Sequence, residues 1–219
     1  EAEIIELIRK EVKPALGCTE PIAVALAVAK AMETVEEKCG LSGPDWRMEG
    51  AYSLRIEVSG NILKNGMGVG IPGTGMVGLH IAAALGAVCG KSSYGLEVLN
   101  DLDEDSIAKA KEMVEAKDVT VGLAETDHKL YVKATVRCKD GHSACAVIED
   151  DHDNIVETWF DQAQLTSSHK CEGADAAAQK STLDYKRTVK EIVDFASTVA
   201  YEDIKFILES RTLNMALAE

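Results

Sequence analysis

The run from Ile22 to Met32 is nearly all Ala, Val, Leu and Ile, broken only by Lys30, and it constrains the fold more than any other stretch. Its length and composition read as a buried helix, because a helix apolar on every side must be enclosed by other layers. Upstream, Ile4, Ile5, Leu7, Ile8 and Val12 recur at helical spacing until Pro14 interrupts them. Between the two helices lies Gly17-Cys18-Thr19-Glu20-Pro21. Pro21 suits a first turn, Thr19 suits the N-cap, and Glu20 complements the positive end of the helix dipole. Cys18 then sits beside exposed N–H groups and a partial positive charge, a setting that favours the thiolate a metal ligand or nucleophile requires. The plain alternative is a small apolar cysteine in a Gly-Pro turn.

Three segments follow. Residues 1–46 form an N-terminal helical segment that ends in the Gly40–Pro44 breaker. Residues 47–162 read as an α+β domain: a strand over Ser53–Val58, a glycine-dense loop over Gly60–Gly75, and helices over Met76–Val88 and Asp103–Ala116. Strands follow at Val119–Leu123, Leu130–Arg137, Ala144–Glu149 and Ile155–Phe160. Asp140-Gly141 marks a hairpin between the middle pair, so the sheet is expected to be mostly antiparallel. Residues 163–219 begin with a polar linker, Gln164–Lys180, and continue as helices over Thr182–Thr198 and Glu202–Leu217.

The formal charge of -14 argues against nucleic acid and anionic membrane as partners, since both demand a basic face. No stretch supplies the roughly 20 consecutive apolar residues that span a bilayer. The start, Glu-Ala-Glu-Ile-Ile, lacks the basic and apolar regions of a signal peptide. The missing initiator Met and the helix running to the last residue read as a fragment. Six scattered cysteines in a chain too large to need staples read as a reduced, cytoplasmic protein.

The glycine-dense loop offers several chemistries. Gly73-Thr74-Gly75-Met76-Val77-Gly78 matches the dinucleotide fingerprint, with Glu97 some way downstream. That reading, a nicotinamide oxidoreductase, needs parallel βαβ units, and the chain supplies hairpins. Gly90-Lys91-Ser92 ends like a P-loop, but Leu85 stands where the first glycine belongs. What remains is an anion site: Gly73 and Gly75 let backbone approach a ligand, and the N–H groups opening the next helix can hold a carboxylate. Asn61, Lys64, Asn65 and Thr74 would add polar contacts. Cys138, His142 and Cys145 flank the hairpin, with the two cysteines expected on one face, a weak zinc pattern. The Glu149–Asp153 run has donors for a hard cation but reads first as a solvated acidic turn between strands.

Three stretches together resemble one family. They are Pro14–Ala23; Ser59–Gly75 continuing through Gly78–Gly86; and Glu202–Ile204 through Asn214–Glu219. They look like the N-terminal half of the L-cysteine desulfidases, which are related to the iron–sulfur L-serine dehydratase alpha chains. The resemblance implies a cytoplasmic lyase that works without pyridoxal phosphate. It would remove the β-substituent of a small amino acid, L-cysteine or L-serine, and give pyruvate, ammonia and, from cysteine, sulfide. It also implies a 4Fe-4S cluster held by three cysteines, of which Cys18 matches the first, and a substrate held by Asn61, Lys64, Asn65, Gly73, Thr74 and Gly75. Glu20 is the candidate α-proton base. Cys39, Cys89, Cys138, Cys145 and Cys171 match no further ligand motif. The last segment is then the start of a truncated helical catalytic domain, and the chain alone is expected to be inactive and without cluster. A non-enzymatic amino-acid-binding regulatory module is the alternative. A homodimer is compatible with either.

Overall fold

A computed structural model of the chain describes residues 1–13, 15, 17–41, 45–167 and 186–218. Two compact units emerge, residues 15–170 and residues 1–14 with 171–219.

The larger unit is α+β, built on a six-stranded sheet. Its strands are β1 (Tyr52–Val58), β2 (Val119–Leu123), β3 (Tyr131–Cys138), β4 (Ser143–Glu149), β5 (Ile155–Phe160) and β6 (Ala163–Ser167). Their order is β2-β1-β3-β4-β5-β6, with β1 and β2 parallel and every other pair antiparallel. The β3–β4 hairpin turns at Asp140-Gly141 as expected, with Cys138 N–H donating to His142 O. Strand β6 occupies the opening of the expected polar linker. The rest of that linker, with Cys171, lies outside the described residues, as do residues 182–185 of the expected helix after it.

Helix α2 (Thr19–Cys39) realises the apolar run; Ile22 to Ala29 are all buried, and it lies across β3, β4 and β5. Expected in the N-terminal segment, it therefore packs within the sheet's unit. Helix α5 (Leu79–Val88) packs beside it, so closely that a Cβ on Gly86 would stand 2.4 Å from Ala25 O. Three short helices complete the layer: α3 (Asp45–Glu49), α4 (Gly60–Gly66) and a 3-10 turn over Ser92–Glu97. Helix α6 (Glu104–Glu115) is capped by Asp103, whose carboxylate accepts from Ser106 N–H at 2.8 Å.

The α3 segment is clamped by charge. Glu36 accepts two bonds of 2.6 Å from the Arg47 guanidinium and one of 2.9 Å from Trp46 Nε1. Arg47 Nη1 also donates to Gly90 O at 2.9 Å, satisfying a carbonyl just past the end of α5.

The hairpin cysteines do not share a face. Thr135 pairs with Cys145 and Arg137 with Ser143, which turns Cys138 to the helix-covered side and Cys145 to the other. The pleat's period of two decides it: the loop is residues 139–141, one residue longer than the two-residue Asp140-Gly141 turn that a shared face requires. His142 instead stacks on Phe160 and bonds Asp161 at 3.1 Å.

The smaller unit holds α1 (Ala2–Glu11), α7 (Val189–Thr198), α8 (Tyr201–Ile204), a 3-10 turn (Lys205–Leu208) and α9 (Glu209–Ala218). Arg187 pairs with Glu3 at 2.9 Å, and the Arg9 guanidinium lies 4.3 Å over the Phe206 ring. No helix among the described residues is long and apolar enough to cross a membrane.

Candidate functional site

The Cys18 segment and the glycine-dense segment, some 45 residues apart in sequence, meet at the N-terminus of α2. Gly17 takes φ +98°, where a side chain would be strained. A Cβ there would stand 3.9 Å from Pro72, which places the turn against the glycine loop. Cys18 itself is the N-cap, with extended backbone, and Thr19 opens the helix. The expected Thr19 cap is thus displaced by one residue, and Cys18 makes no side-chain cap bond.

Its thiol donates instead to Glu20 Oε2. Glu20 Oε1 accepts from Asn65 Nδ2 at 3.2 Å, so one half-buried carboxylate joins the two segments. The Cys18 thiol is held above the ordinary value, first by partial burial and then by its bond to Glu20. Backbone N–H groups of Thr19 and Glu20 pull the other way and lose. The pull of the helix dipole towards the thiolate is thus opposed: an acceptor carboxylate two residues on favours the proton. Glu20 is correspondingly lowered, chiefly by the thiol bond, with help from Asn65 and from the nearby charge of His152.

Residues Gly60–Gly66 are not loop but the single helix α4. Asn61, Lys64 and Asn65 lie at i, i+3 and i+4 and are exposed, so the three candidate contacts share one face. The C-terminal end of α4 also touches both long helices. A Cβ on Gly66 would stand 2.4 Å from Leu79 Cδ2 and 3.6 Å from Glu20 Cβ. The N-termini of α2 and α5 therefore flank it side by side, and α5 has no side-chain cap. Two helix starts so placed raise the local potential and favour an anion.

The loop between α4 and α5 is held by its own bonds. Gly70 bridges Val77, and Ile71 N–H donates to Met76 O at 3.0 Å. Met76 and Val77, expected to begin the helix, are used in this bridge, and the helix starts at Leu79. Gly78 takes φ +97°, and a Cβ on it would meet Met67 O at 2.9 Å, so only glycine fits. Thr74 is buried. Its hydroxyl donates to Ile71 O at 2.7 Å and accepts from Met76 N–H at 3.0 Å. Thr74 thus shapes the loop, whereas Gly73 and Gly75, both at positive φ, expose their backbone. The dinucleotide motif is separated from β1 by all of α4, unlike the strand–turn–helix unit it needs.

His152, in the turn between β4 and β5 and within the acidic run named above, adds the smallest of these pulls on Glu20, an effect of charge and not a contact. Among the described residues, no group of three or more His, Cys, Asp or Glu is placed to hold a metal. One exposed cysteine does not fit an iron–sulfur cluster by itself, so the described residues alone do not form such a centre.

The site therefore defines an α+β domain with a cysteine–carboxylate–amide chain between two helix starts. No family model matches the chain, and no solved structure matches it. Among curated proteins it is similar to UPF0597 proteins. That of Phocaeicola vulgatus is 42% identical over 218 residues, covering 99% of this chain and 47% of the relative. Those of Shewanella pealeana (41%) and Dichelobacter nodosus (40%) match over 98% and 100% of the chain, again 47% of each relative. The chain spans about half the length of the curated relatives it matches.

Proposed function

We propose that this chain is the substrate-holding part of an iron–sulfur amino-acid lyase, acting on L-cysteine or L-serine by β-elimination. The observation that carries the reading is the Cys18–Glu20–Asn65 chain. It joins in space the two segments whose sequences resemble the desulfidases. Cys18 would give one cluster ligand, and the remainder would come from polypeptide outside this chain. When bound, a cluster with an open iron supplies Lewis acidity towards the leaving thiol or hydroxyl.

The chain's own residues do the rest. The paired starts of α2 and α5, with the exposed backbone of Gly73 and Gly75, hold the substrate carboxylate. Asn61, Lys64 and Asn65 present a polar face to its polar groups. Glu20 Oε1 or Oε2 takes the α-proton, and Asn65 keeps that carboxylate in place.

The test is kinetic, on this chain joined to the unmatched half of the Phocaeicola vulgatus relative. Asn65→Ala is expected to raise KM for L-cysteine and Glu20→Gln to lower kcat. Saturable binding of L-serine or L-cysteine with no turnover would replace the lyase by the regulatory module. Tight NADH binding would favour the oxidoreductase.

A further inference from the structure

Helix α7 carries a second, unrelated message. Val189, Ile192, Val193 and Ala196 fall at i, i+3, i+4 and i+7, the spacing of a core-facing stripe. Yet Val189 is 78% exposed, Ile192 54% and Val193 55%. Phe195 lies off this stripe and is the half-buried member of the helix. The helix is well formed at its start. Thr188 accepts from Glu191 N–H, and the Glu191 carboxylate accepts from Thr188 N–H at 2.7 Å, a complete capping box. The stripe is thus fixed in register rather than frayed.

Among its described residues, the unit shows no core of its own. None of α1, α7 and α8 has a buried residue, and Tyr201, Leu208 and Met215 are each more than half exposed. Helices this short draw their stability from packing, and a run of exposed apolar side chains marks an interface. The relatives supply the candidate cover, because each extends over more than twice the length this chain matches.

We infer that the α7 stripe docks an apolar helical face from the half of the longer relatives that this chain does not match. The inference is independent of the chemistry at Cys18. Charge has little place in such a contact, and Lys190 and Asp194, which pair with each other on α7, lie off the stripe.

Coexpression of this chain with the unmatched half of the Phocaeicola vulgatus relative tests it. The two are expected to copurify. Ile192→Glu or Val193→Glu should weaken the complex by about tenfold or more, since each buries an unpaired charge. Lys190→Ser should leave it intact, and circular dichroism of every variant should match the parent. Failure to copurify, or a complex indifferent to both glutamates, overturns the inference. Self-association of this chain that Ile192→Glu abolishes also overturns it, assigning the stripe to a second copy.

Discussion

At the scale of single residues, Cys18 is defined by the competition around it. The helix start favours a thiolate, but local desolvation first and the bond to Glu20 second favour the thiol and outweigh it. Cys18 is also the exposed member of the described cysteines, Cys39, Cys89 and Cys138 being half-buried and Cys145 buried. A thiol reagent applied to the native chain should therefore label Cys18 first, as followed by peptide mass spectrometry. Glu20→Gln should speed that labelling at neutral pH, because it removes both a negative charge and the carboxylate acceptor. Unchanged labelling would remove Glu20 as the group that holds the proton. Cys18 and its neighbours could be singled out in the sequence by local signals, namely Gly, Pro and helix start. Their meeting with Asn65 could not, because nothing local encodes a contact across 45 residues.

Among the elements, those with a strong period were legible. The apolar run became α2, and the strand-like segments that became β1, β3 and β5 fell within a residue of their observed bounds. Three elements were hidden for separate reasons. Helix α4 begins and ends in glycine, the poorest helix former after proline, and is held by tertiary contact through buried Ile62. Strand β6 is exposed at every position, so it has no alternation to read; it is held by pairing to β5, including the Thr158–Thr166 hydroxyl bond of 2.7 Å. Helix α3 exists because Trp46 and Arg47 reach Glu36. Arg47→Ala should cost about 3 kcal/mol in urea denaturation, since it strips a partly buried carboxylate of its partner. Gly86→Ala should cost at or above the ~1–3 kcal/mol of overpacking, despite a better helix propensity, because its Cβ would strike the α2 backbone. A neutral Gly86→Ala would contradict the close α2–α5 approach.

For the whole molecule, stability should depend on alkaline pH through two half-buried thiols. Burial pushes Cys89 up to about 11 and Cys138 likewise to about 11, from an ordinary 9.0. The folded chain keeps these protons when the unfolded chain has lost them. The stabilisation is thus complete below pH 9 and is lost as pH rises through about 11. Denaturation midpoints should fall between pH 8 and pH 10, with roughly 1 kcal/mol attributable to Cys89 and absent in Cys89→Ala.

The proposed function calls on polypeptide outside this chain, and the matched relatives are about twice as long as the stretch they share with it. The direct measurement is anaerobic reconstitution of this chain joined to the unmatched half of the Phocaeicola vulgatus relative, with and without Cys18→Ala. With Cys18 present, a brown iron–sulfur species should form and L-cysteine should yield sulfide and pyruvate. Cys18→Ala should lose both while retaining its fold. Equal cluster content and turnover in the two proteins would contradict the role assigned to Cys18.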